Sequence, residues 1–75
     1  MYTIYSKQNC SFCLQAKQLL EMEQLPFEYK QLGTHYSLDE LMTLAPDAKS
    51  FPQVFKDGTR IGGFSDLVEY LNQQY

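Results

Sequence analysis

Cysteine and histidine are scarce, with two Cys and one His in 75 residues. A closed zinc site needs four ligands, and with the acidic residues scattered the chain does not assemble them. Two cysteines separated by two residues also make a poor structural staple, because a disulfide there closes almost no loop and constrains little of the unfolded chain. Long apolar runs are missing. None approaches the ~18 residues of a membrane span, and the N-terminus shows no signal-peptide core, so a reducing cytoplasm and no membrane partner are expected. Basic charge is short as well: six Lys and Arg against nine Asp and Glu leave a net charge of −3. Such a chain offers nucleic acid no positive field. Internal repeats, low-complexity tracts and linkers are lacking, and residues 1–75 are expected to form one small domain. What the chain does have is a 44% hydrophobic content with six Tyr and five Phe. Aromatic rings bury much area per residue, enough for a compact core without metal or disulfide support.

Both cysteines fall in Cys10-Ser11-Phe12-Cys13, directly after a short strand pattern and at the start of a helical one. A helix N-terminus presents unpaired N–H groups and partial positive charge, which favour thiolate over thiol. In a reducing compartment such a pair opens and closes, and the spacing reads as a redox motif.

Tyr2-Thr3-Ile4-Tyr5 is a β-rich, nearly continuous apolar run, as in a central strand covered on both faces. From Ser11 to about Glu23 the pattern is helical, with Phe12, Ala16, Leu19 and Leu20 on one stripe, and Pro26 ends it. Phe27 to Leu32 alternates at period two, completing a parallel βαβ unit. Ser37-Leu38-Asp39-Glu40 fits a capping box, opening a helix with an apolar face of Leu38, Leu41, Met42 and Ala45 that Pro46 stops. Phe51 to Lys56 is a third strand entered through Pro52. Asp57-Gly58 is a hairpin turn returning Thr59-Arg60-Ile61 antiparallel. Gly62-Gly63 precede a last helix whose stripe is Phe64, Leu67, Val68, Leu71 and Tyr75, with Ser65 or Asp66 as its cap. The expected order is βαβαββα.

That order, with Cys-x-x-Cys after the first strand, resembles the thioredoxin superfold, and three finer blocks resemble glutaredoxins. They are Tyr5-Ser6-Lys7-x-x-Cys10-x-x-Cys13, then Lys49-Ser50-Phe51-Pro52-Gln53-Val54-Phe55, then Asp57-Gly58 with Ile61-Gly62-Gly63-Phe64-Ser65-Asp66. The resemblance implies an α/β thioredoxin-like fold, a four-stranded mixed sheet ordered 2-1-3-4 and flanked by three helices. It also implies a glutathione-dependent thiol–disulfide oxidoreductase acting as a monomer. Glutathione would be co-substrate, with no permanently bound cofactor. Glutathionylated or disulfide-containing proteins would be partners, ribonucleotide reductase among them. The chain departs from the family pattern in Cys-Ser-Phe-Cys for the frequent Cys-Pro-Tyr-Cys, in Ser50 for Thr and in Phe51 for Val.

Cys10 precedes the helix and is expected to be the exposed, low-pKa nucleophile, with Cys13 one turn in as the resolving thiol. By analogy with the family, Lys7 would stabilise the thiolate and pair with a glutathione carboxylate, or else be an ordinary solvated lysine. Phe12 is either an apolar groove wall or a core residue. Pro52 is either a strand-entry proline or a cis bond that aims the Phe51 N–H and C=O at a substrate backbone. Gly63, Ser65 and Asp66 would meet the γ-glutamyl end of glutathione at the helix start, a role compatible with capping. Lys49 and Gln53 are further candidates for its glycyl carboxylate, and His35 has no assigned role. Two alternatives compete. One is a redoxin reduced by thioredoxin reductase, against which the Gly62-to-Asp66 block argues. The other is a [2Fe–2S] carrier bridged by glutathione between two chains, for which Ser11 is the motive.

Overall fold

The structure is a computed structural model that describes residues 1–74. Its elements are β1 (Tyr2–Ser6), α1 (Ser11–Met22), β2 (Phe27–Gln31), α2 (Leu38–Leu44), β3 (Gln53–Lys56), β4 (Thr59–Gly62) and α3 (Phe64–Gln74). They make a four-stranded sheet ordered β2-β1-β3-β4, as the sequence predicts. β1 runs parallel to β2, with Tyr2 opposite Phe27 and Ser6 opposite Gln31. It runs antiparallel to β3, with Tyr5 opposite Gln53. The Asp57-Gly58 turn has φ of +50° and +84°, the pair of left-handed residues that a tight two-residue hairpin requires.

The central strand β1 divides the core. On one face Ile4, Ala16, Leu20, Val54, Leu67 and Leu71 pack β1 and β3 against α1 and α3. On the other, Tyr36, Leu41, Ala45 and Phe55 close beneath α2. The α2 capping box forms in full: the Glu40 N–H donates to Ser37 Oγ at 3.2 Å, and the Ser37 N–H donates to Glu40 Oε1 at 3.1 Å. Ser37→Ala removes half of it and is expected to lower stability by about 1 kcal/mol, read from urea unfolding.

Three expectations need correction. β3 begins at Gln53, with Phe51 outside the ladder and the Phe51–Pro52 peptide cis. The buried stripe of α1 is Cys13, Ala16 and Leu20, whereas Phe12 points outward. α3 starts at Phe64, so its cap is Gly63: the Leu67 N–H donates to Gly63 O at 3.0 Å, the first bond of the helix. Asp66 takes part from inside, accepting the Gly63 N–H on Oδ2 at 3.0 Å. Tyr75 lies outside the described residues. No helix among those described is long and apolar enough to cross a membrane.

Candidate active site

β1 ends at Ser6, whose C=O accepts the hydroxyl of buried Tyr36 at 2.7 Å. Burial, and after it the neighbouring Tyr5, pushes the Tyr36 hydroxyl up to about 12, so it stays a donor throughout the physiological range. From this anchor Lys7 to Asn9 turn the chain into α1, with Asn9 at φ +56°, a conformation asparagine tolerates. Cys10 is the N-cap of α1, and its Sγ accepts the Cys13 N–H at 3.1 Å. The sulfur therefore occupies the place that a capping oxygen holds in most helices. No acidic residue stands in the first turn to oppose the helix's positive end. Cys10 is partly exposed, Cys13 is fully buried, and the two are joined as a disulfide.

Beside the pair runs a groove of about 480 Å³, walled by Phe12, Phe51, Pro52, Gly63, Ser65 and Asp66. Six residues singled out in separate parts of the sequence thus meet on one surface. Lys7 stands apart from them, in a cleft of about 580 Å³ that it shares with Cys10, and its ammonium lies 5.3 Å from the centre of the Phe51 ring. Phe12 is 55% exposed, which makes it a wall and not a core residue. Among the described residues neither the N–H nor the C=O of Phe51 has a hydrogen-bond partner, leaving a donor and an acceptor at the groove. The first N–H groups of α3 lie beyond the reach of intrahelical bonding, and Ser65 lines the groove among them.

Gln53 also lines the groove but is buried, its amide N–H donating to Ser50 O at 2.9 Å and its Oε1 accepting the Arg60 Nε–H at 3.1 Å. It acts as a strut under the groove. Lys49 does line the groove. His35 proves structural, its Nδ1 accepting the Gln31 N–H at 3.0 Å.

Three groove residues escaped the sequence reading. Phe64 stacks on Phe12 with ring centres 5.8 Å apart, extending the apolar wall from α1 to α3. Its place on the α3 stripe marks it for the core, which hides its contact with Phe12. Arg60 and Asp47 form an ion pair across the groove rim, and the Arg60 guanidinium holds the Asp47 carboxyl below the ordinary carboxylate range. No local signal links a β4 arginine to an aspartate in the loop after α2.

The family model described as glutaredoxin matches residues 2–61. Glutaredoxin 3 of Escherichia coli (strain K12) is 33% identical over 64 residues, covering 85% of this chain and 77% of that protein. Hybrid peroxiredoxin hyPrx5 of Haemophilus influenzae is 38% identical over 69 residues, covering 92% of this chain, which spans only 28% of that longer protein. Among solved structures, a buckwheat glutaredoxin–glutathione complex superposes with a TM-score of 0.81 at 22% identity, covering 97% of this chain and 69% of its own, which bears on the fold. Because the family match runs from β1 through the cysteine pair and into β4, the chain belongs to the glutaredoxin family of glutathione–disulfide oxidoreductases, on the thioredoxin-like fold.

Proposed function

We propose that this chain reduces glutathione mixed disulfides and protein disulfides, with Cys10 as nucleophile, Cys13 as resolving thiol and glutathione as co-substrate. The observation that carries this reading is the Cys10 sulfur at the N-cap of α1, accepting a helix N–H beside a groove walled by Phe12, Phe51 and the start of α3. Such a setting lowers a thiol from ~8.5 into the range ~3.5–7.5, so the thiolate is abundant at neutral pH.

The Cys10 thiolate attacks the glutathione sulfur of a mixed disulfide. A Cys10–glutathione S–S bond forms as the substrate S–S bond breaks, and the departing thiolate takes a proton from water. A second glutathione thiolate attacks that new bond, yielding oxidised glutathione and restoring Cys10. With a protein disulfide, Cys10 first forms a mixed disulfide with the substrate. Cys13 then attacks the Cys10 sulfur, closing the Cys10–Cys13 bond and releasing the second substrate thiolate. Two glutathiones return the dithiol. Cys13 is fully buried and reaches only a disulfide already on Cys10.

In this reading the unpaired N–H and C=O of Phe51, held by Pro52, pair with the cysteine backbone of glutathione as one rung of a β-ladder. Phe12 covers its apolar flank. The γ-glutamyl carboxylate meets the start of α3 at Gly63 and Ser65, and its ammonium meets the Asp66 oxygen left free by the cap. Lys7 supports the Cys10 thiolate, with Lys49 facing the glycyl end. Residues 1–75 act as one glutaredoxin domain and as a monomer in a reducing cytoplasm. Their partners are disulfide-bearing proteins, ribonucleotide reductase as one case, with no nucleic-acid or membrane partner.

A [2Fe–2S] cluster does not fit one chain. Among the described residues no three His, Cys, Asp or Glu side chains converge, and of the two cysteines Cys10 is partly exposed while Cys13 is fully buried. A second chain would have to complete it.

The test is a steady-state assay with a small glutathione mixed disulfide, glutathione, glutathione reductase and NADPH. Saturable NADPH oxidation proportional to the protein is expected. Turnover sustained by thioredoxin reductase and not by glutathione would overturn the reading.

A further inference from the structure

Lys7 lines the cleft that holds Cys10, and Phe51 lines the neighbouring groove. Lys7 follows Ser6, which is fully buried and tied down by Tyr36. Phe51 belongs to the loop before β3 and packs against the core under α2. The Lys7 ammonium bridges the two segments, 5.3 Å from the Phe51 ring centre and within cation–π range. Among the described residues no carboxylate pairs with Lys7.

This choice of partner has an electrostatic consequence. A carboxylate holding Lys7 would cancel its charge and place a negative group near the sulfur. An aromatic face holds the same cation through its quadrupole and leaves the net positive charge in place. A valine at position 51 would offer no such face. We propose that Phe51 is a positioning residue, whose ring parks the Lys7 ammonium in the Cys10 cleft and so sustains the thiolate there. The proposal rests on the reading of Cys10 as a low-pKa nucleophile.

The other groups around the sulfur do not duplicate this role. Gln8, Asn9, Ser11, Tyr29 and Gln31 are the polar residues that share the cleft with Lys7 and Cys10, and none is acidic. Across the groove stand Asp47, Lys49, Arg60 and Asp66. Asp47 is paired with Arg60, and Asp66 caps α3. Among the described residues Lys7 is therefore the one cation that lines the sulfur's own cleft.

The experiment follows alkylation of Cys10 by iodoacetamide against pH in the reduced full chain, with the modified peptide measured by mass spectrometry. Phe51→Val is expected to raise the midpoint, slowing alkylation on the acid limb about threefold relative to wild type. Phe51→Tyr keeps a ring and should restore the wild-type profile. Lys7→Gln should slow alkylation at least as much as Phe51→Val, and the double variant should match Lys7→Gln alone. A Phe51→Val profile superimposing on wild type overturns the proposal, as does a double variant in which the two losses add. Circular dichroism melts of each variant exclude unfolding as the cause. Should wild type itself titrate near ~8.5, the value of an ordinary thiol, the nucleophile assignment falls and this proposal with it. A low wild-type midpoint with no response at position 51 overturns only the positioning role.

Discussion

Replacing Cys10 with serine is expected to bring turnover of a glutathione mixed disulfide down to the uncatalysed background, a loss of about 10³-fold or more. The hydroxyl that replaces the sulfur can still cap α1, so the fold survives, but it cannot form or break an S–S bond. Cys13→Ser separates the two branches. The monothiol branch needs only Cys10 and glutathione, so most deglutathionylation should remain. Reduction of a protein disulfide, which needs the second sulfur to displace substrate from Cys10, should be lost. Cys13 is fully buried, so its serine variant places a hydroxyl in the core. A moderate loss of stability, on the order of 1–2 kcal/mol, accompanies the change and is measured separately by urea unfolding. Activity in Cys10→Ser, or equal loss of both reactions in Cys13→Ser, would remove the division of labour between the sulfurs.

The second large effect falls on a glycine. Gly62 has φ +130°, a conformation L side chains rarely adopt, and a Cβ there would lie 2.8 Å from Asp66 Cβ and 2.7 Å from Asp66 Cγ. Gly62→Ala therefore strains the end of β4 and drives the Asp66 carboxylate off the Gly63 N–H. Strain of this kind costs roughly 1–3 kcal/mol, and the lost cap adds about 1 kcal/mol. In a domain this size the melting temperature should drop by about 8 °C or more. The same displacement moves the group proposed to meet glutathione's ammonium, so KM for the glutathione mixed disulfide should rise about tenfold, equivalent to ~1.4 kcal/mol. Gly63→Ala is the control. Its Cβ would meet only Pro52 O at an ordinary 3.6 Å, so it should melt close to wild type. Equal melting of the two alanine variants would show that the α3 entry does not depend on Gly62.

The contrast between these neighbouring glycines shows where sequence reading stopped. Gly62-Gly63 as a pair, followed by Ser65-Asp66, marks a tight approach and a helix start, and both are present. Which glycine is indispensable depends on a single dihedral and on the reach of Asp66. The cap was displaced for the same reason: Asp66 acts from within the first turn, and Gly63 takes the cap position without a side chain. Phe12 shows the same limit. Its helical spacing fits either face, and only the packing of α1 on the sheet turned Cys13 inward and Phe12 out against Phe64.

What the sequence determined by itself is whatever rests on interactions within a few residues. The strand and helix periods, the Ser37–Glu40 box, the Asp57-Gly58 turn and the sulfur at the head of α1 are of this kind, and from them the order βαβαββα and the redox chemistry follow. Tertiary structure alone decided the groove: Lys7 over Phe51, Phe12 on Phe64, and Arg60 braced by Gln53 and Asp47. These pairs join segments distant in the chain, brought together by burial of a shared core on both faces of β1. That burial is non-directional and leaves no pattern in the residues that end up facing one another at its edge.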